Sequence, residues 1–258
     1  MSDILEPRGY GWKPDLPDVR DINYKIFRAV DPSKLPALVD LRPGCPPVYD
    51  QGRLGSCTAN ALGAAYQFSQ LKQKKKSTMP SRLFIYYNER VLERTVNSDA
   101  GAMIRDGIKT ICKEGVSPEE LWPYDITKFT RKPTVKAYQT AVKNTVTQYA
   151  RLDNSNILQL KNCLAEGFPF VFGFTVYSFF ESREMSNSGM LQLPSSEDKV
   201  LGGHAVMAVG YDDTKQAFII RNSWGTQWGM QGYFYMPYAY ITNPNLATDF
   251  WTVRFVTN

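Results

Sequence analysis

The sequence is poor in the residues that hold metals and in paired cysteines. Its 258 residues include one histidine, His204, and four cysteines, Cys45, Cys57, Cys112 and Cys163. No two of these cysteines form a CxxC pair, and one histidine is too few for the usual structural zinc site. Any general base of imidazole type must therefore be His204. Separate reduced cysteines are the simplest interpretation, and they favour a reducing compartment.

Long apolar segments are missing as well. No apolar stretch approaches the roughly 20 residues that a membrane-spanning helix needs, and the N-terminus lacks the hydrophobic region of a signal peptide. The net charge is +5, and the basic cluster at 72–76 ends a helical pattern, where it complements the helix dipole. An anionic partner is the alternative interpretation of that cluster. We expect a soluble chain, cytoplasmic or virion-associated rather than secreted, with no nucleic-acid or membrane partner.

The order of patterns along the chain predicts an α+β fold with two lobes. Residues 1–38 form an N-terminal arm without a helical or strand period, and its aromatic residues are Tyr10, Trp12, Tyr24 and Phe27. Helical patterns dominate residues 39–150, and they start at Ser56, Ser81 and Ala102. Residues 151–258 contain one more helical pattern, at 154–166, followed by strand patterns at 168–176, 205–211, 218–221 and 233–236.

Cys57 lies where a helical pattern begins. Ser56 is a candidate N-cap residue, which places Cys57 in the first turn of the helix. There the exposed N–H groups and the helix dipole favour an anion, and a nearby imidazolium favours it further. Gly52 and Gly55 allow a close approach of the chain before the helix. We therefore expect the Cys57 thiol to lose its proton more readily than a free cysteine does.

His204 and Asn222 flank a predicted hairpin. Two strands, 205–211 and 218–221, are joined by a short polar turn. In an antiparallel pair the numbers of facing residues have a constant sum, so this turn brings His204 and Asn222 opposite each other or one register apart. We expect Asn222 to accept a hydrogen bond from one ring nitrogen of His204, which leaves the other nitrogen facing Cys57.

Gln51 and Trp224 complete the candidate site. Gln51 precedes Cys57 by six residues, and its side-chain amide can form an oxyanion hole with the backbone N–H of Cys57. Trp224 is placed to keep water from the bond between Asn222 and His204. Each of these residues also has an ordinary structural explanation, such as a packed cysteine, a core histidine or a turn asparagine. Their occurrence together favours nucleophilic catalysis by a thiol.

Four motifs taken together resemble those of papain-like cysteine peptidases. They are Gln51-Gly52-Arg53-Leu54-Gly55-Ser56-Cys57, Gly203-His204-Ala205-Val206, Val209-Gly210-Tyr211 and Asn222-Ser223-Trp224-Gly225-Thr226-Gln227-Trp228-Gly229. The order of the motifs and the separation of 147 residues (204 − 57) between cysteine and histidine agree with that family. Segments 47–51 and 55–61 are more similar to bacterial and large-virus members than to lysosomal cathepsins.

The resemblance implies a helical left lobe with Cys57 and a β-rich right lobe with His204 and Asn222, divided by an active-site cleft. It implies a peptidase that acts on peptides or proteins through an acyl-enzyme, without a metal or an organic cofactor. It also implies a specificity pocket for apolar side chains and a substrate-binding wall formed by Gly101, Ala102, Met103, Gly203, Ala205 and Trp224.

The sequence departs from the family's pattern at three positions near the site. Leu54 stands where a disulfide-forming cysteine is usual, so that disulfide is absent. Thr58 replaces the usual aromatic residue after the nucleophile, and Gly203 precedes His204 where many relatives have Asp or Asn. None of these departures removes a catalytic group.

Two other functions share the same residues. A ligase or transpeptidase of this fold would pass the acyl group to an amine instead of water, and an inactive pseudoprotease would only hold peptides in the cleft. The arm also has two interpretations. It covers the cleft as the short inhibitory segment of a zymogen, or it braces the two lobes.

Overall fold

The computed structural model describes residues 8–24 and 31–257. Phe27 of the predicted arm lies outside these ranges. The helices are α1 (Cys57–Lys72), α2 (Arg82–Leu92), α3 (Ile104–Lys113), α4 (Val135–Ala141), α5 (Ile157–Ala165), α6 (Arg183–Ser188) and α7 (Tyr238–Ile241). The strands are β1 (Leu38–Asp40), β2 (Val146–Leu152), β3 (Phe170–Tyr177), β4 (Val200–Asp212), β5 (Ala217–Arg221), β6 (Tyr233–Pro237) and β7 (Ala247–Val256).

Helix α1 is central and buried, as its sequence predicts. Every residue from Cys57 to Gln70 is buried, and only the last two residues of the helix are exposed. Small and apolar side chains surround the helix axis, so no face of the helix is suited to water. It packs against α2, α3 and the sheet strands β4 and β7. This burial holds Cys57, the first residue of the helix, between the helices and the sheet.

The described strands form one antiparallel sheet in the order β2-β7-β3-β4-β5-β6, with the short β1 added to β4. Strand β5 is buried throughout, and β4 is buried from His204 to its end. A strand buried on both faces needs a nearly continuous apolar sequence, which β4 and β5 have. His204 therefore stands where β4 passes from a partly exposed edge into the core.

Two hydrophobic clusters are packed around the sheet, and the arm takes part in both. One contains α1 with side chains of β4 and β7, and Trp12 of the arm belongs to it. The other is rich in aromatic side chains of β3, β5 and β6, and it includes Tyr24 of the arm. Both arm residues are less than 10% exposed. The arm is thus packed into the fold at Trp12 and Tyr24, whereas Leu16, Val19 and Ile22 between them are exposed.

The predicted α+β class is confirmed. The helical patterns at Ser56 and Ser81 correspond to α1 and α2, the pattern at 154–166 to α5, and the four strand patterns to β3, β4, β5 and β6. The third helix begins at Ile104 instead of Ala102, because Ala102 pairs with the arm. In the described part of the chain, no helix combines the length and the hydropathy that crossing a membrane requires.

Candidate active site

Cys57 begins helix α1, and its side chain is fully buried. The backbone N–H groups of Ala205 in β4 and Gly11 in the arm are near its sulfur and act to lower the pKa of the thiol. Ser56 takes the predicted N-cap position, but its hydroxyl makes no capping hydrogen bond. The hydroxyl is engaged elsewhere, 2.5 Å from the hydroxyl of Tyr124.

His204 and Asn222 form the expected hydrogen bond. Nε2 of His204 lies 2.8 Å from Oδ1 of Asn222. The sheet register pairs Met207 with Arg221, and its continuation sets Asn222 opposite Val206, two residues from His204 on the same strand. The backbone N–H of Ser223 also donates to Oδ1, at 2.8 Å. Because this oxygen is an acceptor for both, Nε2 carries the proton and Nδ1 is left for another partner.

Aromatic side chains enclose the imidazole of His204. The ring of Trp224 lies 5.1 Å from it, centroid to centroid, and those of Phe174 and Phe180 lie 5.8 and 6.1 Å away. Trp224 therefore packs beside the ring, as predicted. Nδ1 is buried and forms no hydrogen bond within the described residues. In this structure the nitrogen expected to face the thiol has no bonded partner.

The amide of Gln51 is held from both ends. Its Oε1 accepts a hydrogen bond from the hydroxyl of Ser223 at 2.6 Å. Its Nε2 donates to two carbonyl oxygens, those of Leu54 and Gly9, each at 3.0 Å. Leu54 belongs to the loop before α1, whereas Gly9 belongs to the arm. The nitrogen predicted to serve the oxyanion hole thus donates to a peptide carbonyl of the arm.

The arm passes through the cleft beside Cys57, and we call residues 9–13 the plug segment. The backbone N–H of Trp12 donates to the carbonyl of Gly203 at 3.0 Å. On the other side, the N–H of Ala102 donates to the carbonyl of Gly11 at 2.7 Å, and the N–H of Lys13 donates to the carbonyl of Ala102 at 3.0 Å. The plug segment is therefore bonded to both walls of the cleft.

Tyr10 covers the candidate catalytic ring. Its own ring lies 6.1 Å from those of His204 and Trp224. Its hydroxyl donates to the carboxylate of Glu181. Behind it, the indole of Trp12 packs directly against Gly173. A Cβ atom added to Gly173 would lie 1.9 Å from that indole. The two aromatic side chains seal the cleft from the arm side.

The arm is attached a second time outside the cleft, through Asp15 and Asp21. Nε and Nη2 of Arg105 donate to the two oxygens of Asp21 at 2.8 and 2.6 Å, and Nη1 of Arg151 donates at 2.6 Å. Asp15 accepts from the backbone N–H of Arg105 at 3.0 Å and from Nε1 of Trp251 at 2.9 Å. All four carboxylate oxygens are thus hydrogen-bonded to the body of the protein.

The plug segment buries Cys57 and His204, and this burial affects the pKa values of both side chains. Burial raises the pKa of the Cys57 thiol to about 12, although hydrogen bonds from Ala205 and Gly11 act in the opposite direction. Burial lowers the pKa of His204 to about 4, against the effect of its hydrogen bond to Asn222. The expectation of a readily ionised thiol is wrong for this closed structure, because the arm excludes the water that would solvate the two charges.

Most residues of the predicted substrate-binding wall lie against the plug segment. Ala102 and Gly203 form the backbone hydrogen bonds described above. Gly101 packs closely against the arm, since a Cβ atom added to Gly101 would lie 2.0 Å from the carbonyl oxygen of Gly11. Met103 differs, because its backbone N–H donates to Glu93 at 2.7 Å, on the side of α2. The arm thus contacts four of the six predicted wall residues: Gly101, Ala102, Gly203 and Trp224.

Sequence reasoning missed two features of the site. Ser223 fixes the amide of Gln51, and a hydroxyl directly after Asn222 was an available signal. The other feature is the pair of glycines around Tyr10, since alternating glycines indicate a close approach of two backbones.

All four cysteines are free. Within the described ranges, no three His, Cys, Asp or Glu side chains are grouped to hold a metal.

Comparisons with known proteins agree with this geometry. A sequence profile of the papain family cysteine proteases matches residues 35–251. An uncharacterized peptidase C1-like protein of Acanthamoeba polyphaga mimivirus is 43% identical, over 97% of this chain and 88% of its own length. The crystal structure of xylellain, a cysteine protease from Xylella fastidiosa, superimposes with a TM-score of 0.88 at 47% identity, over 97% of both chains.

A more distant structure shares the fold alone. Procathepsin B from Trypanosoma congolense has a TM-score of 0.76 at 18% identity, over 96% of this chain and 86% of its own. The predicted greater similarity to bacterial and large-virus members is therefore confirmed, as is the papain-like two-lobe fold. The chain belongs to the papain family of cysteine proteases.

Proposed function

We propose that the chain hydrolyses peptide bonds with Cys57 as nucleophile and His204 as general acid and base. Asn222 orients the imidazole, and Gln51 donates to the oxyanion together with the backbone N–H of Cys57. The observation that carries this proposal is the peptide already present in the cleft. The plug segment bonds to both walls, touches the thiol through Gly11, and offers a carbonyl to Gln51.

The reaction follows from these positions once the arm has moved. Water then reaches the site, and the proton of the thiol passes to Nδ1 of His204, which the bond to Asn222 leaves free. The thiolate attacks the peptide carbonyl, and the new oxyanion is held by Gln51 and the backbone N–H of Cys57. His204 protonates the leaving amine as the acyl-enzyme forms. It later takes a proton from water, which releases the acid and restores the thiol.

The substrate backbone is proposed to use the bonds that the plug segment uses now. The carbonyl of Gly203 and both backbone groups of Ala102 are available for an extended peptide when the arm leaves. Gly101 permits close approach there because its φ of +68° and its missing Cβ suit only glycine. Ala205, Trp224 and Met103 complete the proposed wall. A peptide or protein in extended form is accordingly the substrate class.

We also propose that the protein is made as a zymogen in which the arm covers the cleft. The support is that Cys57 is fully buried and that the plug segment beside it is bonded to both walls of the cleft. One of the similar structures is that of a procathepsin. The four free cysteines and the mimivirus relative favour a cytoplasmic or virion-associated location. We also propose the division of the chain into an arm (residues 1–38), a left lobe (39–150) and a right lobe (151–258).

Replacement of Asn222 by alanine tests the orientation of His204. A lost hydrogen bond to a group that becomes charged costs about 1.5–3 kcal/mol, so kcat/KM on a small peptide should fall roughly 10- to 100-fold. Asn222→Gln is the matched variant that keeps an amide but displaces it. An unchanged kcat/KM in Asn222→Ala, with an unchanged melting temperature, would contradict the assigned role.

The closure of the arm is predicted to depend on pH through Asp15. Burial and the nearby Asp249 raise the pKa of Asp15 to about 6, despite Arg105 and Trp251. A free arm has an ordinary carboxyl pKa of about 4, so closure takes up a proton between pH 4 and 6. Closure therefore strengthens as pH falls from 6 to 4 and weakens as pH rises through 6. Asp21 opposes this only near its own low pKa, which Arg105 and Arg151 depress against the effect of burial. His204 opposes it over the same pH range, because burial lowers its pKa to about 4 in the closed state from an ordinary value of about 6.5. The contribution of Asp15 is therefore measured by comparison with Asp15→Asn.

Hydrogen exchange of the Trp12 backbone amide measures this dependence. Corrected for the intrinsic rate, the ratio of its protection at pH 4.5 to that at pH 7.5 should be roughly tenfold or more higher in the unmodified protein than in Asp15→Asn, given two pKa units of possible linkage. The same ratio in the two proteins would refute the linkage.

The proposed activity is tested with a fluorogenic peptide and an added amine nucleophile. A peptidase releases the free acid, whereas a ligase of the same fold gives mainly the amide product. A pseudoprotease releases neither product and does not react with an epoxide inhibitor of papain-like enzymes at Cys57. We expect the free acid as the main product and an epoxide adduct on Cys57.

A further inference from the structure

The attachment site of Asp15 and Asp21 is built by residues outside the arm. Arg105 belongs to α3, Arg151 to β2 and Trp251 to β7, and together with Asp249 they are called the anchor site here. The side chain of Arg105 is 6% exposed and that of Asp21 is 9% exposed, so the ion pair is nearly dry. A bidentate guanidinium–carboxylate pair in such surroundings is both strong and selective for a planar anion.

The anchor site remains charged when the arm leaves. Within the described residues, Asp21 is the only carboxylate in an ion pair with Arg105. Arg151 keeps one further pair, at 3.3 Å from Asp249. The N–H groups that hold Asp15, those of Arg105 and Trp251, also lose their acceptor. An open anchor site therefore presents an unpaired guanidinium and two free donors, arranged for two carboxylates.

Asp249 of the anchor site also contacts the plug segment. Oδ2 of Asp249 accepts from the indole Nε1 of Trp12 at 3.1 Å and from the backbone N–H of Asp15 at 2.8 Å. Asp249 has a φ of +61°, a conformation that costs energy in a residue other than glycine, and it is 3% exposed. Displacement of Asp15 removes one of its donors and loosens the chain directly beside Trp12. Events at the anchor site are thereby linked to the cleft.

We propose that the anchor site is a docking site for an acidic peptide segment of another protein, and that its occupation releases the arm. The ligand is an extended peptide with two carboxylates spaced as Asp15 and Asp21 are, five residues between them. The basic net charge of the chain favours the approach of such a segment. The inference rests on the proposed inhibitory role of the arm, and it makes an acidic partner the activator.

The arm competes strongly because it is part of the same chain. A tethered ligand acts at an effective concentration of about millimolar, so a peptide in solution is at a disadvantage against it. The full-length variant Asp21→Asn weakens the tethered competitor and leaves the anchor site itself unchanged. This variant is therefore the protein for the test.

The probe is a fluorescent synthetic peptide with the sequence of residues 13–24. Its binding is measured by fluorescence anisotropy, and arm release is measured as alkylation of Cys57 by iodoacetamide, located by peptide mapping. Neither readout requires turnover, so failure of the proposed peptidase activity would not be mistaken for failure of this proposal. A control peptide carries asparagine at the positions of Asp15 and Asp21 and keeps the aspartate of Asp18.

We expect the acidic peptide to bind at least tenfold more tightly than the control peptide and to raise the alkylation rate of Cys57 severalfold. Adding Arg105→Gln, or the more exposed Arg151→Gln, should abolish this preference. Lys113→Gln, which removes a charge from a more exposed residue at the end of α3, should preserve it. Equal binding of the two peptides, or binding without faster alkylation, would overturn the proposal. A phosphate salt that matched the peptide's effect would also overturn it, since a general anion site would then suffice.

Discussion

Replacement of Gly11 by alanine should raise the peptidase activity of the full chain about tenfold or more. A Cβ atom on Gly11 would lie 1.7 Å from the carbonyl oxygen of Gly55 and 2.4 Å from its carbonyl carbon. Backbone atoms cannot yield as a flexible side chain can. Overpacking of this kind costs typically 1–3 kcal/mol, and here the arm can avoid the cost by leaving the cleft. The strain therefore favours the open state.

The matched control for this variant is Gly44→Ala. Gly44 lies outside the arm, and a Cβ atom there would meet only the ring of Phe68, at 3.3 Å. It should leave kcat/KM near the level of the unmodified protein. The measurement is the initial rate on a short fluorogenic peptide, with melting temperatures to show that both variants fold. An unchanged rate in Gly11→Ala would mean that the plug segment does not limit access to Cys57.

Replacement of Cys57 by alanine should remove turnover. In a nucleophile and base that act as a unit, loss of the nucleophile costs several orders of magnitude in rate, so we expect a fall of roughly a thousandfold or more. The variant is best made in the Gly11→Ala background, because we expect the active site to be open there. The fold should persist, because alanine fits a position that is already enclosed by backbone atoms of α1 and β4.

Cys163→Ala is the control for Cys57→Ala. Cys163 is also free and fully buried, but it lies in α5 within the aromatic cluster. Its loss should reduce stability by about 1 kcal/mol or more without a comparable loss of turnover. Hydrolysis that persisted in Cys57→Ala, in protein free of contaminating peptidase, would remove Cys57 from the mechanism.

The elements around the site are readable from the sequence because local rules decide them. Helix α1 follows from apolar residues on all sides, and the pair β4 and β5 follows from two apolar runs joined by a polar turn. The constant sum of facing residues then places Asn222 near His204, within two residues of the position directly opposite it. These inferences need no contact from distant parts of the chain.

Strands β2 and β7 were not assigned from the sequence, and the reasons are physical. β7 contains Asp249 in a left-handed conformation and begins with irregular pairing to β3, so its alternation is broken. β2 is only partly buried, and its pairing with β7 has two register shifts. Both strands are stabilised by tertiary contacts, among them those of Asp249 and Arg151 with the arm, which a local pattern does not reveal.

The closed state of the active site, with Cys57 and His204 buried, was the other feature that the sequence did not reveal. The helix start favours a thiolate at Cys57, and this reasoning holds for an exposed thiol. The structure instead encloses Cys57 and His204 beneath Tyr10 and Trp12, and burial then outweighs the helix dipole. The order of the arm's residues gives no indication of which surface they cover. Their placement depends on Arg105 and Asp249, which are distant in sequence.

The central claim is that the arm covers a complete but closed thiol site. The most direct test is the rate at which an epoxide inhibitor of papain-like enzymes attaches to Cys57, followed by intact-protein mass spectrometry. The account predicts slow attachment to the unmodified chain and attachment at least tenfold faster in Gly11→Ala. Equal rates in the two proteins, whether both fast or both absent, would contradict it.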